Sequence, residues 1–308
     1  MGLLVDGVWQ QDGQRTKDGH FIRPQAGFRN WVTPDGSGTG GFAAESGRYH
    51  LYVSLACPWA HRTIIFRKLK GLENVISMST VSPDMLQDGW TFNKDEGSSG
   101  DDVNDKSKLS EIYVLADPKY TGRVSVPVLW DKKKKTIVNN ESSEIIRMLN
   151  SAFDAFTNVR TDYYPQTLRA EIDRLNDIIY PNVNNGVYRA GFATGQAAYE
   201  TAFRGIFDTL DELEQTLSKQ RYLTGPAITE ADWRLFCTLI RFDAVYYGHF
   251  KCNWRHIYEY PNLSNYVRDL YQVPGVPETV SLQQIKRHYY GRFEIGRASC
   301  RERVCNDV

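Results

Sequence analysis

Residues 49–81, YHLYVSLACPWAHRTIIFRKLKGLENVISMSTV, contain the stretch of sequence that decides the fold. Apolar residues alternate over 49–55, as expected for a β-strand. Pro58 then occupies the position of a first helical residue, where the missing N–H costs nothing, and apolar residues follow at helical spacing. Residues 75–81 form a second predicted strand. The two strands of such a unit should be parallel, with a right-handed crossover.

The next segments complete a small α/β domain. A polar stretch at 93–108 is predicted to be an inserted loop, and 109–116 a short helix. Strands are predicted at 124–130 and 135–140, joined by a lysine-rich turn, before a helix at 141–149. The order β-α-β, α, β-β-α is that of a thioredoxin-like domain.

Pro127 falls within a predicted strand. A proline is excluded from a central strand, but a cis Val126–Pro127 bond at a strand end is tolerated.

After Tyr164–Pro165 helical periodicity dominates, with segments at 167–180, 195–218, 229–247 and 277–288. We therefore expect a first domain over 1–160, which includes an N-terminal extension, and an all-helical domain over 165–290. The last residues, 294–308, have no apolar period and resemble vector-derived sequence, so they are excluded from the fold prediction.

Composition excludes several classes of function. The 308 residues contain 37 Lys plus Arg and 37 Asp plus Glu, so no bulk charge favours nucleic acid or an anionic membrane. We find neither a secretory signal nor an apolar run long enough to span a bilayer. The five cysteines are odd in number and widely spaced, which argues for thiols in a reducing compartment, the cytoplasm, rather than for disulfides.

Cys57 stands out because it precedes Pro58 at a predicted helix start. Unpaired N–H groups and the positive end of the helix dipole both favour thiolate there, which lowers the pKa of the thiol and makes it a nucleophile. The alternative is a buried cysteine that acts as a small apolar residue. Position 60 is alanine, so no internal disulfide can resolve a mixed disulfide on Cys57, and a solution thiol such as glutathione must do so.

A glutathione site needs three partners, and the sequence offers a candidate for each. Val126 can supply edge backbone for the cysteinyl residue. Glu141 and Ser142 open a helix, so N–H groups and hydroxyl can bind the γ-glutamyl carboxylate while Glu141 binds its ammonium. Arg123 is a candidate partner for the glycyl carboxylate. An ordinary helix cap is the alternative for Glu141–Ser142.

Several motifs together resemble the glutathionyl-hydroquinone reductases, the xi-class relatives of omega glutathione transferases. The motifs are SLACPWAHRTIIFRKLKGL, DGWTF, YTGRVSVPVLWD, NNESSEIIRML, NNGVYRAGFA, TEADWRLFCTLIRFDAVYYGHFKCN and IKRHYY. The resemblance covers residues 5 to 290 and implies a thioredoxin-like domain, a helical glutathione-transferase domain and a homodimer. It also implies reduction of glutathionyl-hydroquinones to hydroquinones with glutathione as co-substrate.

By position, the resemblance assigns roles to individual residues. Cys57 resembles the family nucleophile, and Tyr188, Tyr246 and Tyr289 resemble its hydroquinone pocket. The glutathione contacts implied are Trp90, Arg123, Val126, Glu141 and Ser142. After the IKRHYY motif the sequence departs from the family pattern. His249, Cys252 and His256 are metal-ligand types without a fourth ligand, so we predict no metal site.

Two other functions compete with this one. An omega-type thiol transferase or dehydroascorbate reductase shares the motif CP-x-A, although the tyrosines and the insertion at 82–108 favour a quinol substrate. A non-catalytic binding module on a transferase fold would tolerate loss of Cys57, whereas either enzyme would not.

Overall fold

The computed structural model describes residues 2–11 and 16–291. The segment predicted to be foreign, 294–308, lies outside the described residues. The strands are, in chain order, β1 (Leu3–Val5), β2 (Val8–Gln10), β3 (Thr16–Lys17), β4 (His20–Phe21), β5 (Val32–Thr33), β6 (Phe42–Ala43), β7 (Tyr49–Val53), β8 (Ser77–Thr80), β9 (Gly122–Arg123), β10 (Val128–Asp131) and β11 (Thr136–Asn139). The α-helices are α1 (Pro58–Leu69), α2 (Leu109–Ala116), α3 (Ser142–Ser151), α4 (Arg169–Ile179), α5 (Gly186–Gly191), α6 (Gln196–Leu217), α7 (Glu230–Arg241), α8 (Tyr247–His249), α9 (Pro261–Tyr271) and α10 (Leu282–Tyr290).

The described chain divides into two compact units. The first contains residues 2–11, 24–161 and 278–291, and the second contains 16–23 and 162–277. By these contacts, residues 16–23 group with the helices and residues 278–291 group with the α/β unit. The sequence prediction places the domains at 1–160 and 165–290.

The first unit is built on a four-stranded sheet in the order β11-β10-β7-β8. β7 and β8 are parallel, as predicted for the strand–helix–strand unit, and β10 pairs antiparallel with both β7 and β11. All five residues of β7 are buried, so this central strand is covered on both faces rather than on one. α1 and α3 pack against each other in this unit.

The strand predicted at 124–130 is shorter than expected. Regular pairing begins only at Val128, after a cis Val126–Pro127 peptide bond. The preceding residues Gly122–Arg123 form β9, which pairs with β1 in a separate sheet of order β2-β1-β9. The cis bond at the strand end agrees with the sequence prediction. Pro127 has no N–H to donate, which is consistent with the ladder beginning after it.

The carboxylate of Asp101 connects the inserted loop to the sheet. Asp101 Oδ1 accepts a hydrogen bond from Tyr52 Oη at 2.8 Å and from the N–H groups of Val103 and Asn104, each at 3.1 Å. Asp101 Oδ2 accepts from the Lys106 N–H at 3.1 Å. Because Tyr52 lies in β7, the polar insertion is anchored to the central strand.

The second unit is helical, with the short β3–β4 hairpin beside α5. Thr229 is the N-cap of α7, and Asp232 completes a capping box, accepting from the Thr229 N–H at 2.7 Å. The predicted helical segments do not include α9, which starts at Pro261. Within the described parts of the chain, no helix combines the length and apolar character needed to cross a membrane.

Candidate active site

Cys57 is the N-cap residue of α1. Its backbone is extended (φ −78°, ψ 123°), its carbonyl accepts the His61 N–H at 2.9 Å, and Pro58 follows at the first helical position. The side chain is partly exposed, and Cys57 forms no disulfide. The thiol therefore lies where the helix dipole is most positive, as the sequence predicted.

Strand register brings the cis-proline segment to the same place. Val128, the first residue of β10, pairs with Tyr52 near the end of β7, and the strands run in opposite directions. Residues just before β10 therefore extend past the carboxyl end of β7, where Cys57 lies. The Cys57 Sγ atom is 3.7 Å from the Val126 carbonyl oxygen.

Glu141 caps α3 with its own side chain. Its carboxylate accepts from the Ser143 N–H at 3.0 Å and from Ser143 Oγ at 2.8 Å. Its N–H donates to Asn139 Oδ1 at 2.7 Å, which fixes the turn from β11 into the helix. The cap expected at Ser142 or a neighbour is thus Glu141, and Ser142 is the first helical residue.

Arg62 connects the helix of Cys57 to the helix of Ser142. The buried guanidinium donates from Nη1 to Ser142 Oγ at 3.3 Å and lies over the Trp59 ring, 4.7 Å from its centroid. His61, the neighbour of Arg62 on the same helix, contacts Thr279, with His61 Nε2 and Thr279 Oγ1 2.8 Å apart.

Trp90 and Arg123 belong to the same unit as Cys57. Trp90 is buried at the base of the insertion, where its carbonyl accepts the Leu109 N–H at 2.9 Å. Its ring stacks on His288 with centroids 5.1 Å apart and planes 17° apart. Arg123 lies in β9, opposite Leu3 of β1.

The tyrosines predicted for a hydroquinone pocket are divided between the units. Tyr188 and Tyr246 lie in the helical unit with their hydroxyl oxygens 3.5 Å apart, and both rings pack against Phe250. Tyr289 lies on α10 in the first unit and is buried.

Tyr188 and Tyr246 each lie in or just after a turn of π-helix. Tyr180–Asn184 precedes α5, which carries Tyr188, and Tyr246 is the last residue of the second π turn, Phe242–Tyr246. Such turns are rare and frequently occur at functional sites.

Family models match both units of the chain. The model described as glutathione S-transferase, N-terminal domain, matches residues 56–152, and the model described as glutathione S-transferase, C-terminal domain, matches 196–269. The glutathionyl-hydroquinone reductase YqjG of Escherichia coli K-12 is 56% identical, covering 94% of this chain and 90% of the relative. The chain belongs to the glutathionyl-hydroquinone reductases, the xi class of the glutathione transferase family.

Other relatives of this transferase agree. The glutathionyl-hydroquinone reductase PcpF of Sphingobium chlorophenolicum is 53% identical, covering 94% of this chain and 92% of the relative. The glutathione-bound structure of YqjG superimposes with a TM-score of 0.88 at 51% identity, covering 97% of this chain and 93% of that one. A xi-class transferase from Natrialba magadii gives 0.87 at 49% identity, with 94% and 88% coverage.

Two residues in contact with α1 and with Trp90 were not predicted from sequence. They are Thr279, bound to His61, and His288, stacked on Trp90. Neither lies near its partner in the chain, so no local pattern identifies it. Across residues 2–11 and 16–291, no group of three or more His, Cys, Asp or Glu that could hold a metal ion is found.

Proposed function

We propose that this transferase reduces glutathionyl-hydroquinones to hydroquinones, with glutathione as the co-substrate and Cys57 as the nucleophile. The observation that carries the proposal is the Cys57 thiol at the start of α1, 3.7 Å from the carbonyl that precedes a cis proline. This geometry occurs in a chain 56% identical to a glutathionyl-hydroquinone reductase.

The residues predicted to contact glutathione suit the parts of that molecule. Val126 is buried, and its N–H donates to no acceptor among the residues that the structure describes, so it is available to the cysteinyl carbonyl of a bound peptide. The start of α3 offers N–H groups and the Ser142 hydroxyl to the γ-glutamyl carboxylate, and Glu141 offers a charge to its ammonium. Arg123 would bind the glycyl carboxylate, and Trp90 would pack on the tripeptide.

In the first step the Cys57 thiolate attacks the sulfur of the glutathionyl-hydroquinone. A sulfur–sulfur bond forms and the bond between sulfur and the aromatic carbon breaks. Its electron pair remains on the ring carbon, which takes a proton to give the hydroquinone. The enzyme is left as a Cys57–glutathione mixed disulfide.

In the second step free glutathione resolves the mixed disulfide. Its thiolate attacks the glutathionyl sulfur, oxidised glutathione leaves and the Cys57 thiolate is regenerated. Ala60 occupies the position where a second cysteine would act, so the resolving thiol comes from solution. Two separate half-reactions predict ping-pong kinetics.

The hydroquinone requires flat apolar walls and groups that bind its hydroxyls. Tyr188 and Tyr246 offer two hydroxyls 3.5 Å apart in the helical unit, and both rings pack against Phe250. The same role for Tyr289 rests on the resemblance. From the resemblance we also expect a homodimer, and the cysteine pattern favours the cytoplasm.

The decisive experiment assays the purified chain with glutathionyl-menadiol and glutathione, with a halogenated nitrobenzene and dehydroascorbate as competing substrates. We expect reduction of the hydroquinone conjugate, and we expect Cys57→Ser to abolish it. Mass spectrometry of the wild-type chain given conjugate without free glutathione should show one glutathionyl group on Cys57. Preference for dehydroascorbate would favour the thiol-transferase alternative, and full turnover by Cys57→Ser would contradict the nucleophile assignment.

A further inference from the structure

His288 on α10 makes two directional contacts with the segment that leads to Trp90. Its Nδ1 lies 2.8 Å from the carbonyl oxygen of Pro83, which can only accept, so Nδ1 carries the proton. Its ring is parallel to the Trp90 ring within 17°, at a centroid distance of 5.1 Å. The hydrogen bond fixes the edge of the imidazole and the stack fixes its face.

The chain before α10 is held to the helix of the nucleophile. Thr279 Oγ1 lies 2.8 Å from Nε2 of His61, which is fully buried. The His61 N–H donates to the Cys57 carbonyl at 2.9 Å, in the first turn of α1. Residues 279–288 therefore have a side-chain contact at each end. Thr279 contacts His61 on the helix that begins at Cys57, and His288 contacts the Trp90 ring.

The residue after His288 extends this arrangement. The Tyr289 ring packs edge-on against His288, with centroids 5.1 Å apart and planes at 81°. His288 thus contacts both the tryptophan proposed to bind glutathione and the tyrosine that the resemblance assigns to the hydroquinone. A small rotation of the imidazole would disturb both neighbours.

We propose that His288 is a positioning residue, which fixes the Trp90 ring for glutathione and the Tyr289 ring beside it. The inference rests on the proposed function, in which Trp90 contacts glutathione. His288 itself takes no part in bond making. Its effect on the reaction passes through Trp90.

The adjacent residue provides a matched control. Arg287 donates from Nε to Asp84 Oδ1 at 2.9 Å and from Nη2 to Asp84 Oδ2 at 2.5 Å. This pair joins the same helix to the same segment through different side chains, at a partly exposed position where an ion pair contributes little. Arg287→Ala therefore tests docking of α10 without removing the imidazole.

The experiment measures glutathione affinity by calorimetry on the full chain, together with kcat and KM. His288→Asn keeps an N–H donor for Pro83 but removes the ring, and we expect the glutathione Kd and KM to rise about three- to tenfold, the range for a lost aromatic pair, with a smaller change in kcat. His288→Phe keeps the ring and should recover most of the affinity. Arg287→Ala should stay within about twofold of wild type.

A Trp90→Ala background separates coupling from general packing. If His288 acts through Trp90, His288→Asn should change the glutathione Kd little once Trp90 is absent. Equal effects in both backgrounds, an equal loss in Arg287→Ala, or a Kd unchanged in His288→Asn would overturn the proposal. If His288→Asn does not fold, the same comparison is made with His288→Phe, and an equal effect on the glutathione Kd with and without Trp90 overturns the proposal. Calorimetry needs no hydroquinone turnover, so a wild-type chain without reductase activity would contradict only the proposed function.

Discussion

The Cys57 Sγ atom lies 3.7 Å from the carbonyl oxygen of Val126, and two opposing effects meet at this sulfur. A carbonyl that accepts from S–H stabilises the thiol, whereas the start of α1 stabilises the thiolate. The first contact is long and sulfur is a weak donor, while a charge at a helix terminus gains about 0.3–1 kcal/mol and up to roughly 2 kcal/mol when partly buried. The helix should therefore prevail.

The first prediction concerns the reactivity of this thiol. Iodoacetamide should modify Cys57 near pH 6 faster than it modifies an unperturbed thiol, because the start of the helix favours the thiolate. Cys237 and Cys252 serve as internal controls, since both are buried and burial raises the pKa of the Cys252 thiol. Peptide mapping over a pH series measures each rate. A Cys57 rate that rises only above pH 8 would contradict activation by the helix.

The second prediction separates two roles of Glu141. Glu141→Gln keeps a side-chain oxygen to cap α3 but removes the charge proposed to bind the γ-glutamyl ammonium. We expect a nearly unchanged melting temperature and a glutathione Kd raised roughly tenfold or more, as for loss of a charge-assisted hydrogen bond. Glu141→Ala should show the same loss of affinity and, in addition, about 1 kcal/mol lower free energy of unfolding.

Glu144→Gln is the matched control for that pair. Glu144 lies one turn further along α3, and its carboxylate accepts from Arg29 and Asn139. Glutathione affinity should survive this substitution. Equal losses of affinity at Glu141 and Glu144 would point to the net charge of the helix rather than to a specific contact.

Much of the site was predictable because its signals are local. Cys57, Pro58 and the apolar spacing after them are adjacent in sequence and define a helix start without any tertiary information. Pro127 within a strand pattern predicts an exception to regular pairing for the same reason, and the structure contains a cis bond there.

The remaining features depend on partners that are distant in the chain. Thr279 lies 218 residues from His61, and His288 lies 205 residues from Pro83, so no periodicity connects them. The same limit applies to residues 278–291, which have helical periodicity although their contacts group them with the first unit. No local pattern predicts the pairing of Leu3 in β1 with Arg123 in β9 either.

The third prediction concerns the pH dependence of stability. His50 is buried in β7, its Nδ1 lies 2.8 Å from Ser77 Oγ, and burial lowers its pKa from 6.5 to about 4. The unfolded chain therefore binds this proton first as the pH falls. The stability that neutral His50 provides is present above pH 6.5 and is lost as the pH falls towards 4.

Chemical denaturation at pH 7 and pH 4.5 measures this effect. Linkage predicts a loss of roughly 2–3 kcal/mol attributable to His50 over that interval. His50→Gln has no group that titrates there and should show a correspondingly smaller difference between the two pH values. If the variant and the wild-type chain lose the same stability, another group carries the acid sensitivity.

The last prediction concerns the phenol hydroxyls of Tyr188 and Tyr246, which lie 3.5 Å apart. If they bind the hydroquinone, each change to Phe should lower kcat/KM for glutathionyl-menadiol about tenfold, as for a hydrogen bond that strengthens in the transition state. In the double variant kcat/KM should fall by less than the product of the two single effects, because the hydroxyls are neighbours.

Thiol transfer to a disulfide without phenol groups should be unchanged, because Cys57 and the glutathione residues remain. Tyr222→Phe, which removes a hydroxyl bound to Asp269 in the same unit, is the control and should leave both reactions intact. Unchanged hydroquinone kinetics in both single variants, or equal losses in both reactions, would mean that Tyr188 and Tyr246 only pack in the core and do not bind the hydroquinone.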